Sequence, residues 1–307
     1  MELSYFVVDV FTDRALAGNP LAVVMNSGSL TPEQMQAVAG EFNLSETAFV
    51  ERRPPEVEQA EGVRVRIFTT EEELPFAGHP SLGTASVIKT EAPEAVVDDT
   101  VTLALNVGPV PVRFSKKEGP EGAETVFGEM TQPDAEFGME LEPGDTAWLT
   151  GLTLEDLDPR LPPQIVSTGT AFAVVVLNSA EALARLQVSQ REATRWLRER
   201  GARWFYVLAP TGEPESAWQA RMQFNGGEDP ATGSAAGCAI AYLVHRGAVA
   251  SGERVLLRQG VEMGRPSDLY LSAHIENGSE SGDAARVTGI RVAGSTVLVA
   301  KGRLFLP

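Results

Sequence analysis

Residues 64–86 read RVRIFTTEEELPFAGHPSLGTAS, and residues 219–241 read QARMQFNGGEDPATGSAAGCAIA. At a spacing of 155, Arg66 meets Arg221, Glu73 meets Glu228, Pro75 meets Pro230 and Gly78 meets Gly233. The same spacing sets His79 opposite Ser234. Three of the identities form the pattern E-x-P-x-x-G, which argues for an internal repeat rather than chance. A second match pairs Ser45-Glu46-Thr47-Ala48-Phe49 with Thr168-Gly169-Thr170-Ala171-Phe172 at a spacing of 123. The difference of 32 is about the length of segment 180–210, which reads as an extra piece of the second half. On this reading Glu46 has Gly169 as its counterpart.

Each glycine of the repeat opens a helical stretch made of small residues, HPSLGTASVI after Gly78 and SAAGCAIAYL after Gly233. Glycine inside a helix costs about 1 kcal/mol relative to alanine. A thin helix repays that where backbone must be approached from every side, as in the middle of a curled sheet. The expected fold class is therefore α+β. Two pseudo-symmetric domains are expected, each a barrel-like, mostly antiparallel sheet around a central helix.

Outward from the repeat, short runs rich in Val, Phe, Leu and Tyr read as strands: 4–11, 20–25, 63–69, 108–115, 171–177, 204–209, 253–258, 269–275 and 296–305. Thr31-Pro32-Glu33-Gln34 is a capping box with proline at the first helical position, and Met35, Val38, Ala39 and Phe42 give that helix one apolar face. Ser189 and Glu192 suggest a second box, before a helix that turns Trp196 and Leu197 inward. Segments 51–62, 116–123 and 276–285 are charged or glycine-rich and read as exposed loops. Segment 131–145 lacks periodicity and reads as the linker. The expected domains are 1–131 and 132–307, with the last strand able to pack back on the first half.

Composition narrows the function classes. The 307 residues suit two domains, and 43% hydrophobic with 22% charged residues is an ordinary globular balance. A net charge of −17 repels polyanions, so neither nucleic acid nor an acidic membrane is an expected partner. A small anionic metabolite is not excluded, because the field inside a site can differ from that of the surface. Cys238 is the single cysteine, and His79, His245 and His274 are too scattered for a metal cluster. No apolar run approaches the ~20 residues of a membrane helix. A cytoplasmic protein is the expectation.

Helix starts after Gly78 and Gly233 would present unpaired N–H groups, suited to a carboxylate or phosphate. The plainer alternative is that both glycines only serve tight turns. His79 is either part of such an anion-binding turn or a core histidine. Asp229 and Ser234 either flank a ligand or cap the helix. Glu46, between Leu44 and Ala48–Val50, is either a desolvated carboxylate fit for acid–base work or an exposed strand start. Cys238 reads as a small buried hydrophobe.

At these residues the chain resembles a known family. DVFTDRALAGNPLAVV (9–24), EFNLSETAFV (41–50), ELPFAGHPSLGTA (73–85), EDPATGSAAG (228–237) and MGRPS (263–267) are similar, in order, to motifs of the phenazine-biosynthesis PhzF-like family. The resemblance implies the diaminopimelate epimerase-like fold, with two similar halves facing one active site, and a homodimer. It implies an isomerase that moves a proton between carbons of a small carboxylate-bearing, cyclic or amino-acid-like substrate, as the family's founding enzyme does with trans-2,3-dihydro-3-hydroxyanthranilate. No metal or organic cofactor is implied. By the same resemblance Glu46 carries the proton, His79 and Asp229 assist and Ser234 binds substrate; Ser45, Gly78 and Gly233 are expected to bind substrate beside them, the glycines at the helix-start N–H groups. Related epimerases use two cysteines where this chain has His79 and Ser234, so a two-thiol mechanism is ruled out. The alternatives are a non-catalytic metabolite-binding protein and a lyase or hydrolase using the same cleft. Loss of Glu46, His79, Asp229 or Ser234 would favour the first, and none is lost.

Overall fold

A computed structural model describes residues 1–115, 126–213, 216–276 and 286–306. The chain forms two compact units, Met1–Thr131 with Ala293–Pro307, and Gln132–Val292. The expected loop 116–123, and 276–285 apart from Glu276, lie outside the described residues.

The first unit opens with β1 (Glu2–Val10) and β2 (Asn19–Val24), an antiparallel pair. Helix α1 (Pro32–Phe42) starts with the expected capping box and ends on Asn43 in the left-handed conformation. Strand β3 (Thr47–Glu51) runs parallel to β2. After α2 (Pro55–Glu61), β4 (Val63–Phe68) pairs antiparallel with β3 and with β5 (Glu73–Leu74). Then come α3 (Gly78–Glu91) and β6 (Thr100–Leu105), which is parallel to β4. Strands β7 (Gly108–Ser115) and β8 (Val126–Thr131) extend the sheet antiparallel.

The second unit holds β9 (Glu136–Glu140), α4 (Pro143–Thr150), β10 (Gln164–Ser167), β11 (Ala171–Val176), α5 (Ala180–Ala184) and α6 (Gln190–Arg198). It continues with β12 (Trp204–Glu213), β13 (Ser216–Phe224), β14 (Gly227–Asp229), α7 (Gly233–His245), β15 (Val255–Gln259) and β16 (Ser267–Glu276). Strand β17 (Arg286–Phe305) leaves this unit at Ala293, and its end pairs antiparallel with β1, Phe305 opposite Glu2 and Thr296 opposite Val10.

The strand order repeats. In one unit β1, β2, β3 and β4 pair antiparallel, parallel, antiparallel, and in the other β10, β11, β12 and β13 do the same. Next comes a short antiparallel partner, β5 or β14, then a helix, then a strand parallel to β4 or β13. Arg66 grips Glu73 through Nε and a terminal nitrogen at 2.8 and 2.6 Å. Arg221 grips Glu228 in the same way at 2.8 and 2.7 Å. The repeated Arg and Glu are thus a bidentate clamp across each hairpin.

Both helices after the repeated glycines are central. Every residue of α3 from Gly78 to Ile88 is buried, and the helix packs on β1, β2, β3, β6, β7 and β8. In α7 all residues from Ala235 to Val244 are buried, against β10, β11, β12 and β16. A helix apolar all round belongs inside. Small residues are required there. A Cβ on Gly83 would lie 2.7 Å from Leu21 and Val10 side chains, and one on Gly237 would collide with the Gln132 amide.

Five expectations are corrected. Phe49 sits opposite Arg66 and Val207 opposite Arg221, so β3 corresponds to β12 and not to the strand after Gly169. The counterpart of Glu46 is therefore Trp204, and the match at spacing 123 joined unlike strands. The α5–α6 segment, between β11 and β12, occupies the place that α1 holds between β2 and β3. Segment 51–62 is not a simple loop, because α2 forms there around buried Glu58, which takes two bonds from Arg52 and the Arg53 N–H. Segment 131–145 holds β9 and the start of α4, and Ser189 makes no side-chain cap.

Candidate functional site

In the first unit, the helix-to-strand connection after α1 delivers Ser45, exposed, and Glu46, half-buried, just ahead of β3. Gly78 and His79 are the first residues of α3, whose N-terminus has no side-chain cap. His79 is 4% exposed, and its Nε2 lies 3.5 Å from Oε2 of Glu46, longer than a normal hydrogen bond. Its Nδ1 lies 3.2 Å from the Asn19 side-chain nitrogen at the start of β2. Burial pushes the His79 pKa down to about 3, against the opposing pull of a hydrogen bond with the Pro20 backbone. Near neutral pH the ring is uncharged, with one N–H and one lone pair. An uncharged imidazole puts no fixed positive charge beside the Glu46 carboxylate.

Asn19 has no assigned role in the sequence reading, although it lies inside the GNP run of a quoted motif. Its partner is 60 residues away, so no local signal betrays the contact. Gly18 delivers it. The glycine has φ +66°, and a Cβ there would strike the Val10 carbonyl.

In the second unit, Asp229 ends β14, and Gly233 and Ser234 begin α7. Asp229 and Ser234 are half-buried. The Thr232 hydroxyl donates to Oδ2 of Asp229 at 2.7 Å, so Asp229 borders the loop instead of capping the helix. Gln259, wholly buried at the end of β15, binds the loop through the Asp229 carbonyl and Thr232. Gln132 donates to the Gly233 carbonyl at 2.8 Å and accepts from Thr168 at 2.7 Å. Cys238 is buried, and burial pushes its thiol up to about 11, so it stays a protonated, unreactive side chain.

The structure thus gathers Glu46, His79 and the start of α3 in one unit, and Asp229, Gly233 and Ser234 at the equivalent place in the other. His79 and Ser234 are each the second residue of their helix, as the repeat requires. Among the described residues no group of three His, Cys, Asp or Glu side chains could hold a metal ion, and no helix is long and apolar enough to cross a membrane.

Known proteins agree with this architecture. The profile of the family described as "Phenazine biosynthesis-like protein" matches residues 8–302. An uncharacterised isomerase of Mesorhizobium japonicum is 34% identical, covering 99% of each chain. The trans-2,3-dihydro-3-hydroxyanthranilate isomerase of Pseudomonas aeruginosa is 33% identical over 98% of this chain and 99% of its own. A predicted epimerase of Pseudomonas aeruginosa has a similar solved structure, with TM-score 0.81 and 34% identity over 99% of this chain and 100% of its own.

Proposed function

Since the chain belongs to the phenazine biosynthesis-like family, we propose that it is an isomerase in which Glu46 takes a proton from one carbon of a small carboxylate-bearing substrate and returns it to another. The observation that carries this reading is the pairing of Glu46 with a buried, neutral His79 at 3.5 Å. An isomerisation by proton shift needs one group that serves first as base and then as acid. An uncharged ring puts no fixed positive charge beside Glu46, as an arginine would. The uncapped first turn of α3 offers N–H groups to a substrate carboxylate. Asp229 and Ser234 supply further polar contacts to substrate.

The test uses trans-2,3-dihydro-3-hydroxyanthranilate, the substrate named for the relative in Pseudomonas aeruginosa. In deuterated water the wild type is expected to wash label into carbon and to leave a product of otherwise unchanged mass. Glu46→Gln is expected to lower exchange by about 10²-fold or more while binding persists. Undiminished exchange in that variant would remove Glu46 from the mechanism. A mass change beyond deuterium would move the enzyme to the lyases or hydrolases. Chelator treatment is expected to leave the rate untouched.

A further inference from the structure

The sequence motif MGRPS, residues 263–267, and the Gln259 that precedes it have no role in the reading above. In the fold Gln259 and Gly260 press on the loop that carries Asp229, and Arg265 of the motif folds back on Gly260. Gly260 has φ +76°, and a Cβ there would lie 2.7 Å from the Pro230 carbonyl oxygen and against the Arg265 carbonyl. Gln259 itself is 0% exposed and makes four hydrogen bonds. Its Oε1 accepts from the Tyr206 hydroxyl at 2.8 Å and from the Thr232 N–H at 3.0 Å. Its Nε2 donates to the Asp229 carbonyl at 2.7 Å and to Oγ1 of Thr232 at 3.0 Å.

The direction of each bond is forced. A backbone N–H can only donate and a backbone carbonyl can only accept, so the amide cannot be turned over. With its oxygen taking an N–H from Gln259, Thr232 has its own proton left for Oδ2 of Asp229, 2.7 Å away. Burial, and secondarily the Asp229 charge, push the Tyr206 phenol well above its ordinary value, so it remains a donor. Tyr206, Gln259, Thr232 and Asp229 form a chain whose last link presents a proton to a carboxylate.

The other unit shows that the fold does not need this chain. Strand register and helix start set Tyr206 opposite Ala48, Thr232 opposite Ala77, Gln259 opposite Leu105 and Asp229 opposite Leu74. Four apolar residues do the structural task in one copy. Buried polar groups are costly unless satisfied, so a fully satisfied set in the other copy has a purpose beyond packing.

We propose that Gln259 is a positioning residue that aims the Thr232 hydroxyl at Asp229 and so locks the Asp229 carboxylate as a fixed acceptor for an amino or hydroxyl substituent of the substrate. This rests on the reading that Asp229 is a site residue. Asp229 then orients substrate by accepting a hydrogen bond, while proton movement belongs to Glu46.

The experiment compares Thr232→Val, Thr232→Ser, Gln259→Leu and Asp229→Asn by turnover of trans-2,3-dihydro-3-hydroxyanthranilate and by crystal structure. Thr232→Val and Gln259→Leu are expected to lower kcat/KM about 10- to 100-fold, since small misplacements of orienting groups cost that much. Thr232→Ser keeps the hydroxyl and is expected to stay near wild type. In an Asp229→Asn background, Thr232→Val is expected to add nothing, because both changes act through one carboxylate. A purely structural role would multiply the two losses instead, and that result overturns the proposal. So does wild-type turnover by Thr232→Val when Asp229→Asn is inactive. If Asp229→Asn keeps full turnover, or no variant turns the probe over, the crystal structures decide the lock separately. An Asp229 carboxylate that keeps its wild-type rotamer in Thr232→Val sinks it. If Gln259→Leu fails to fold, the Thr232 pair carries the test.

Discussion

His79 has its pKa pushed down to about 3 by burial, while the unfolded chain titrates near 6.5. Between those values the unfolded state binds a proton that the folded state refuses. Stability is therefore whole above pH 6.5 and falls as the solution is acidified through that window. The slope from this one residue approaches about 1.4 kcal/mol per pH unit. Urea unfolding at pH 7, 6 and 5 is expected to show a shallower loss for His79→Gln than for wild type. The range lies above most carboxylate titrations, so an identical slope in the variant would place the sensitivity elsewhere. Glycine, histidine and acid in a fixed pattern were legible from sequence at this scale. Asn19 was not, because an amide meeting an imidazole across 60 residues leaves no periodic trace.

The two hairpin clamps differ in depth. The Arg221 and Glu228 side chains are 8% and 12% exposed, whereas Arg66 and Glu73 are 16% and 26% exposed. Arg221 also donates to the Leu183 and Ala184 carbonyls at the end of α5. Removing one partner of a buried pair strands the other, at about 3–5 kcal/mol. The loss shrinks as a pair becomes more exposed, toward about 0–1 kcal/mol for a surface pair. Chemical denaturation is thus expected to show a clearly larger loss for Arg221→Met than for Arg66→Met, and equal losses would contradict the burial argument. Gly237→Ala drives a methyl into the Gln132 amide and breaks its bonds to Gly233 and Thr168. The expected cost is about 1–3 kcal/mol, and a double change with Gln132→Ala should recover part of it. The repeated elements were readable because Arg, Glu, Pro and Gly each do a fixed job in the hairpin. The match of residues 45–49 with 168–172 misled because small and β-prone residues suit any strand entry. Helix α2 escaped notice because its anchor is the Arg52–Glu58 ion pair and not an apolar stripe.

For the whole molecule the dominant long-range fact is the net charge of −17. Like charges repel more in the compact state than in the extended chain. Raising salt from about 0.01 to 0.15 M shortens the screening length from ~30 to ~8 Å. A rise in Tm on the order of 2–4 °C is expected, equivalent to about 1 kcal/mol for a protein of this size. A flat or falling Tm would mean that exposed opposite-charge pairs such as Arg286–Asp134 outweigh the general repulsion.

Strand β17 carries a consequence for synthesis. Residues 132–292, the whole second unit, are made as one unbroken block. That unit can begin to fold while residue 293 is still to be added. The first unit, although translated earlier, lacks the partner that β1 requires until residues 296–305 arrive. Strand β1 has β2 on one side, pairing of its other edge across so much chain is slow, and an open strand edge is sticky while it waits. A released chain truncated after residue 292 should therefore protect the second unit from protease and leave the first open, because β1 waits for a partner made long after it.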